Sequence, residues 1–232
     1  MTKKPIIIVG MGEMAGVFAR GFLRLGYPVY PVTRNIDINQ CAEDIPDPEM
    51  VLLAVAESEL HSVLEKIPAV WRNRLALLQN ELLPRDWESF NFIDPTVISV
   101  WFEKKKGQDS KVLISSPCFG PKAIVLIKAL SALDIPANQI PTAEEMEQEL
   151  LIKNVYILTT NIAGLVTKGN VEDLWVNHHD LALDVANEVI DIQATLVGHA
   201  LNRDKLIAGF KAGIDGDLEH MCMGRSAPGR LL

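Results

Sequence analysis

Residues 5–35 read PIIIVGMGEMAGVFARGFLRLGYPVYPVTRN, and this stretch decides the fold. Ile6, Ile7, Ile8 and Val9 run without alternation into Gly10, the pattern of a strand buried on both faces. The apolar set Met14, Val17, Phe18, Phe22 and Leu25 then recurs at three- and four-residue steps until Gly26, which marks a helix and its end. Val29 to Thr33 reads as the next strand. The unit is strand, glycine turn, helix, strand.

Gly10 and Gly12, with Ala15 and Gly16 behind them, satisfy GxGxxA and GxGxxxG together. In a dinucleotide site the first glycine allows the tight turn and the second lets backbone approach a pyrophosphate. Ala15 or Gly16 lets the helix lie close on the strand. The helix N-terminus adds free N–H groups and a positive dipole end. Gly10, Met11, Gly12, Glu13 and Met14 are therefore expected around the phosphates. The second strand ends in Thr33, Arg34 and Asn35, with no acid until Asp37. A carboxylate there would repel a 2′-phosphate, whereas a guanidinium pairs with it bidentately, so the expected cofactor is NADP rather than NAD. The alternatives are an Arg34 that points into solvent and a glycine turn without a ligand.

The rest of the composition narrows the class. A formal net charge of −8, from 30 acids and 22 bases, opposes binding to a nucleic-acid backbone. The basic run Lys104, Lys105 and Lys106 reads as a solvated hairpin tip. Cys41, Cys118 and Cys222 are far apart and odd in number, so they read as reduced thiols rather than a disulfide frame or zinc site. No metal site is expected, because His178 and His179 are adjacent and His199 and His220 have no visible partner. No GxSxG elbow supports a serine nucleophile. Trp71, Trp87, Trp101 and Trp175 are scattered and read as packing residues. The most apolar stretch, residues 150–166, is interrupted by Lys153, Asn154, Thr159, Thr160 and Asn161, so no membrane span is expected. The opening MTKK leads directly into the first strand, and the expected location is cytoplasmic.

Along the chain, Met50 to Val55, Arg74 to Gln79, 96 to 103 and 111 to 116 read as strands, the last two as a pair joined by the Lys-rich turn. Glu57 to Lys66 and the segment GPKAIVLIKALSALDIP (120–136) read as helices. This alternation implies a mainly parallel sheet covered on both sides. From Pro141 the pattern is helical: a capping box at Thr142 and Glu145 opens a helix to about Thr167. Val171 to Asn177, His179 to Leu201 and Arg203 to Gly213 follow. The fold class is α/β, a Rossmann-type doubly wound sheet over residues 1–140, followed by a smaller all-α domain over residues 141–232.

With these residues in place, the chain resembles the ketopantoate reductase family. The resemblance is carried by GMGEMAG (10–16), RLGYPVYPVTR, the strand LALLQN ending in Gln79 and Asn80, and KALSALDIPANQI leading into ELLIKNVYILTTNIAGL. LALDVANEVIDIQATLVG adds to it. It implies NADPH-dependent reduction of a ketone on a small carboxylic acid, with cofactor and substrate in the cleft between domains. Ala54, Val55 and Ala56, in LLAVAES, are then placed beside the cofactor. Three positions depart from the family pattern. Ala56 stands where a lysine is usual and Glu81 where glycine follows Gln-Asn. Third, the serine- and acid-bearing motif usual near the C-terminus has no clear match, and CMGRSAPGRL is the nearest candidate.

The helix from 143 to 167 is apolar on nearly every side, so Lys153, Asn154, Thr160 and Asn161 should face a cleft, a partner or each other. The expected catalytic set is Lys153, donating a proton or hydrogen bond to the carbonyl, with Asn80 and Asn161 orienting the substrate. A second register puts Glu149 at the family's lysine and makes Glu149 and Lys153 an i,i+4 pair. The expected function is an NADPH-dependent oxidoreductase for a small 2-oxo or imino acid. The alternatives are a non-catalytic NADP-binding regulatory or redox-sensing protein and, more remotely, an interaction scaffold. A homodimer through the helical domain is also expected.

Overall fold

The computed structural model describes residues 3–222, and the chain divides into two compact units, residues 1–147 and 148–232. Their boundary falls inside one long helix.

The first unit is a seven-stranded sheet in the order β2-β1-β3-β4-β5-β8-β9. Its strands are β1 (Ile6–Val9), β2 (Val29–Val32), β3 (Met50–Leu53), β4 (Leu75–Leu77), β5 (Thr96–Ile98), β8 (Ser116–Phe119) and β9 (Ala137–Gln139). All neighbours are parallel except β5 and β8. Every residue of β1 and β3 is buried, as the unbroken apolar runs require of central strands covered on both faces. One face packs Ile6, Ile8, Met50 and Leu52 against Phe18 and Phe22 of α1 (Glu13–Arg24) and Leu126 and Leu130 of α5 (Ala123–Ser131). These helices approach closely at Gly21, where a Cβ would lie 2.3 Å from the Ala129 carbonyl oxygen.

The strands expected over 96–103 and 111–116 do pair antiparallel across the Lys-rich turn, but as two broken pieces rather than one continuous hairpin. Thr96–Ile98 and Ser116–Phe119 join the main sheet, while β6 (Phe102–Glu103) and β7 (Lys111–Val112) form a separate small ribbon. Ser116 Oγ accepts from the Trp101 N–H at 2.9 Å, and Trp101 is fully buried, so the chain turns inward there. Nor is Lys104 a freely solvated tip. Its side chain is only 14% exposed, and its ammonium lies 3.7 Å from Glu13. Three short helices sit at the sheet's other connections: α2 (Ile38–Asp44), α3 (Leu60–Leu64) and α4 (Pro84–Glu88). Asp37 caps α2 through the Asn39 N–H at 2.9 Å.

The second unit is helical. The N-terminus of α6 (Ala143–Thr167) is capped by Thr142 Oγ1, which accepts from the Glu145 N–H at 3.1 Å. It is followed by α7 (Val171–Asn177), α8 (His179–Val197) and α9 (Arg203–Gly216). Gly198, with φ of +78°, ends α8 four residues short of the expected Leu201. Tyr156, Leu174, Ala186, Ile190, Phe210 and Ile214 form its buried interior.

By length and a mean hydropathy of 1.3, α6 would suit a membrane span, contrary to expectation, yet 67% of that apolar stretch is buried inside the protein. Its all-round apolarity goes into packing. Of the CMGRSAPGRL segment, all but Cys222 lies outside the described residues.

Candidate functional site

The register of the sheet brings three strand ends to one level. Val9 pairs with Val32 on one side and with Leu53 on the other, so the chain passes from β1 to opposite neighbours at this point. Such a switch leaves a crevice beyond the strand ends. The Gly10 N–H donates to Val32 O at 2.9 Å, and the Ala54 N–H to Val9 O at 2.8 Å, which extends the pairing into the turns.

A cavity of about 670 Å³ opens there. Gly10, Met11 and Gly12 line it from the first turn, Thr33 and Arg34 from the second, and Ala54, Val55 and Ala56 from the third. Gly10 has φ of +91°, and a Cβ on it would lie 2.5 Å from the Ala54 carbonyl oxygen. Gly12 precedes α1 in an extended conformation, has no side chain to cap the helix, and faces open space. The first-turn amides of α1 are therefore not capped by Gly12, which leaves a positive helix end with bare backbone.

Three expected residues turn their side chains elsewhere. Met14 packs against the core of the first unit, the Glu13 carboxylate faces Lys104, and exposed Asn35 does not line the cavity. The cavity in turn has a wall that sequence reasoning missed. Glu59, Ser62, Val63 and Lys66 reach it from α3 and its flanks, together with Ile36 and Ile38. The missed signal was spacing, because 59, 62, 63 and 66 share one face of the helix expected at 57–66.

The electrostatics of the cavity are concentrated beyond β2. Arg34 Nη2 donates to Glu59 Oε1 at 2.5 Å, and Arg34 is 86% exposed. Lys66 is a second cation on the same wall, and Thr33 and Ser62 add hydroxyls. Val9, Val32, Ile36, Ile38 and Val63 make the remaining surface apolar. A dinucleotide fits this donor set: backbone amides for the pyrophosphate, an apolar wall for the base, and two cations for a further phosphate.

Asn80 follows β4, where the turns after β3 and β4 are stapled together. Gln79 Nε2 donates to Leu53 O at 2.9 Å. The Glu57 carboxylate accepts from the N–H groups of Asn80 and Glu81 at 3.0 and 3.1 Å. Glu81 is not among the positive-φ residues, so its backbone has no need of glycine.

In the second unit Lys153 is 6% exposed on α6, with its ammonium 5.7 Å from the Tyr156 ring centre. Asn154 donates to Gln193 of α8 at 3.0 Å, and Thr160 bonds back to Tyr156 O at 2.8 Å. These two polar residues serve internal bonding, while Asn161 is half-buried. Burial raises the Glu149 carboxyl above the usual range, and the charge of Lys205 partly offsets it. Among the described residues no cluster of three or more His, Cys, Asp or Glu side chains is gathered to hold a metal.

Fold and cavity together define a Rossmann-type unit with a nucleotide-sized crevice, followed by an all-α unit. No protein-family model matches the chain, and neither does any curated protein sequence. Solved structures do share its fold. A ketopantoate reductase from Ralstonia eutropha superposes with a TM-score of 0.67 at 14% identity, covering 97% of this chain and 84% of that one. D-mandelate dehydrogenase in complex with NADH gives 0.63 at 16% identity, over 90% and 78% of the two chains. The dimeric ketopantoate reductase of Staphylococcus aureus gives 0.61 at 14%, over 96% and 83%. The fold is thus that of the ketopantoate reductases and D-mandelate dehydrogenase.

Proposed function

We propose that the protein is an NADPH-dependent oxidoreductase that reduces a small 2-oxo or imino acid. The observation that carries this reading is the cavity at the glycine turn, bare at Gly12 and bearing Arg34 and Lys66 beyond β2. The amide end of α1 holds the pyrophosphate, and Arg34 with Lys66 holds the 2′-phosphate. When bound, the reduced cofactor supplies the hydride.

Lys153 delivers the balancing proton to the carbonyl oxygen of an oxo acid or the nitrogen of an imino acid, which leaves an alcohol or an amine on the product. Its burial gives the role a physical motive. An ammonium carried into an apolar helix is costly to desolvate, which argues for a task at that position. Asn80 and Asn161 orient the substrate. The Glu57 staple fixes the backbone of Asn80 and so limits where its side chain can reach. The reading includes a homodimer through the helical unit, where Val166, Val176 and Ile192 are exposed, and a cytoplasmic location.

A second reading, a non-catalytic NADP-binding regulatory or redox-sensing protein, is favoured by Ala56. This residue puts a methyl group in the cavity wall where the resembling family carries a lysine. Incubation with NADPH and a panel of small 2-oxo acids separates the two. Substrate-dependent loss of the nicotinamide absorbance supports the oxidoreductase, and tight binding without turnover supports the second reading. With turnover established, Lys153→Ala should lower kcat by about 10²–10⁴ while leaving NADPH affinity unchanged, as loss of a general acid does.

A further inference from the structure

Glu59 is the only carboxylate among the described residues that line the cavity, and its partner is the arginine to which the 2′-phosphate is assigned. The pair is an exposed one, with side chains 86% and 38% accessible, so separating it costs little. The backbone that carries the carboxylate is held in place. The 3₁₀ turn Glu57–Glu59 sets its backbone, Ser62 Oγ donates to Glu59 O at 2.9 Å, and Glu57 anchors the same turn to residues 80 and 81.

We infer that Glu59 is a specificity-determining residue, an internal counter-ion that competes with the 2′-phosphate for Arg34 and so narrows the preference for NADPH over NADH. This deepens the proposed dinucleotide reading and rests on it. Once the guanidinium turns to a phosphate, Glu59 stays within reach of that phosphate and repels it. A ribose that carries a plain 2′-hydroxyl meets the opposite situation, because a carboxylate accepts its hydrogen bond. The same side chain therefore weakens one cofactor and assists the other, while Arg34 and Lys66 act in the reverse sense. Cofactor choice is set by a cation pair opposed by one anion.

The test compares Glu59→Gln, which keeps shape and removes charge, with the unaltered protein and with Arg34→Ala. Dissociation constants are measured by calorimetry for NADPH, NADH and two fragments, adenosine 2′,5′-bisphosphate and AMP. Glu59→Gln should tighten NADPH and the bisphosphate about tenfold, with NADH and AMP unchanged or weakened, and the gain should shrink in high salt. Arg34→Ala should abolish the preference for the 2′-phosphorylated ligands. If the unaltered protein prefers NADPH and Glu59→Gln shifts the NADPH-to-NADH ratio by less than about twofold, the role of Glu59 is refuted and the dinucleotide reading stands. If no dinucleotide or fragment binds the unaltered protein, the dinucleotide reading is itself refuted, and the role of Glu59 falls with it. Circular dichroism checks that the exposed substitution leaves the fold intact.

Discussion

The carbonyl oxygen of Ala54 stands 2.5 Å from where a Cβ on Gly10 would be, while a Cβ on Gly12, two residues on, would meet nothing within 4 Å. One glycine is needed for the backbone and the other leaves a space for something else.

The two alanine substitutions should therefore separate. Gly10→Ala forces a side chain into φ of +91° and against Ala54, and overpacking of this kind costs about 1–3 kcal/mol. It should lower the melting temperature sharply. Gly12→Ala has an allowed extended backbone and open space, so stability should stay within about 0.5 kcal/mol. Dinucleotide affinity should nevertheless fall by at least about tenfold, as the methyl group lifts the pyrophosphate off the amides. Unchanged affinity in Gly12→Ala would put the phosphates elsewhere.

Asn154 and Gln193 bond to each other at 3.0 Å, and both are buried, at 1% and 3% exposure. Asn154→Ala leaves the Gln193 amide oxygen without this donor, and orphaning a buried polar group costs about 1–3 kcal/mol. Denaturant unfolding should show a lower midpoint, with the slope unchanged. Equal midpoints would mean that the pair contributes no net stability.

The thiols should be poorly reactive in the native protein. Burial pushes Cys118 up to about 12. Burial and the Asp173 charge push Cys222 up to about 11, although a hydrogen bond with Thr167 works the other way. Cys41 is raised by burial and then by Asp44, and it is the one thiol only partly covered. A disulfide reagent at neutral pH should label Cys41 first and the other two only on unfolding. A raised thiol contributes stability that is complete below its ordinary 9.0 and is lost as pH rises through 11 to 12. Native labelling of Cys118 as fast as Cys41 would contradict this.

Much of the first unit was legible because its central strands are continuous apolar runs. Ile6–Val9 and Met50–Leu53 admit no other reading once a glycine turn and a periodic helix follow. The helices α6 to α8 were legible from Thr142 and from the caps and breaks at Asn170 and His178. What escaped were elements whose side chains carry no pattern. β9 is Ala-Asn-Gln at a half-exposed edge, and β8 contains a proline that breaks the strand signal. In the cavity, the sequence offered the backbone-approach residues but not the wall opposite them. Spacing puts Glu59 and Lys66 on one face of the segment 57–66, but that this face lines the same cavity as Thr33 and Arg34 appears only in the fold. The polar residues of α6 misled in the other direction. Asn154 donates to Gln193 and Thr160 donates to Tyr156 O within the helical unit.

Glu149 provides a pH test in the helical unit. Its carboxyl is raised by burial, so its contribution to stability is complete at acid pH and is lost as pH rises through the native value. Glu149→Gln should therefore melt higher than the unaltered protein at about pH 7 and about equally at about pH 4. A lower melting temperature at neutral pH would show that the pull of Lys205 outweighs the burial.

The central claim is that the crevice beyond β1, β2 and β3 holds a dinucleotide by its phosphates, with Arg34 on the 2′ side. Calorimetric titration of the intact protein with NADPH and NADH tests it most directly. Saturable one-to-one binding, tighter for NADPH and weakened selectively by Arg34→Ala, is the expected result. Equal or tighter binding of NADH, or no heat from either cofactor, would contradict it.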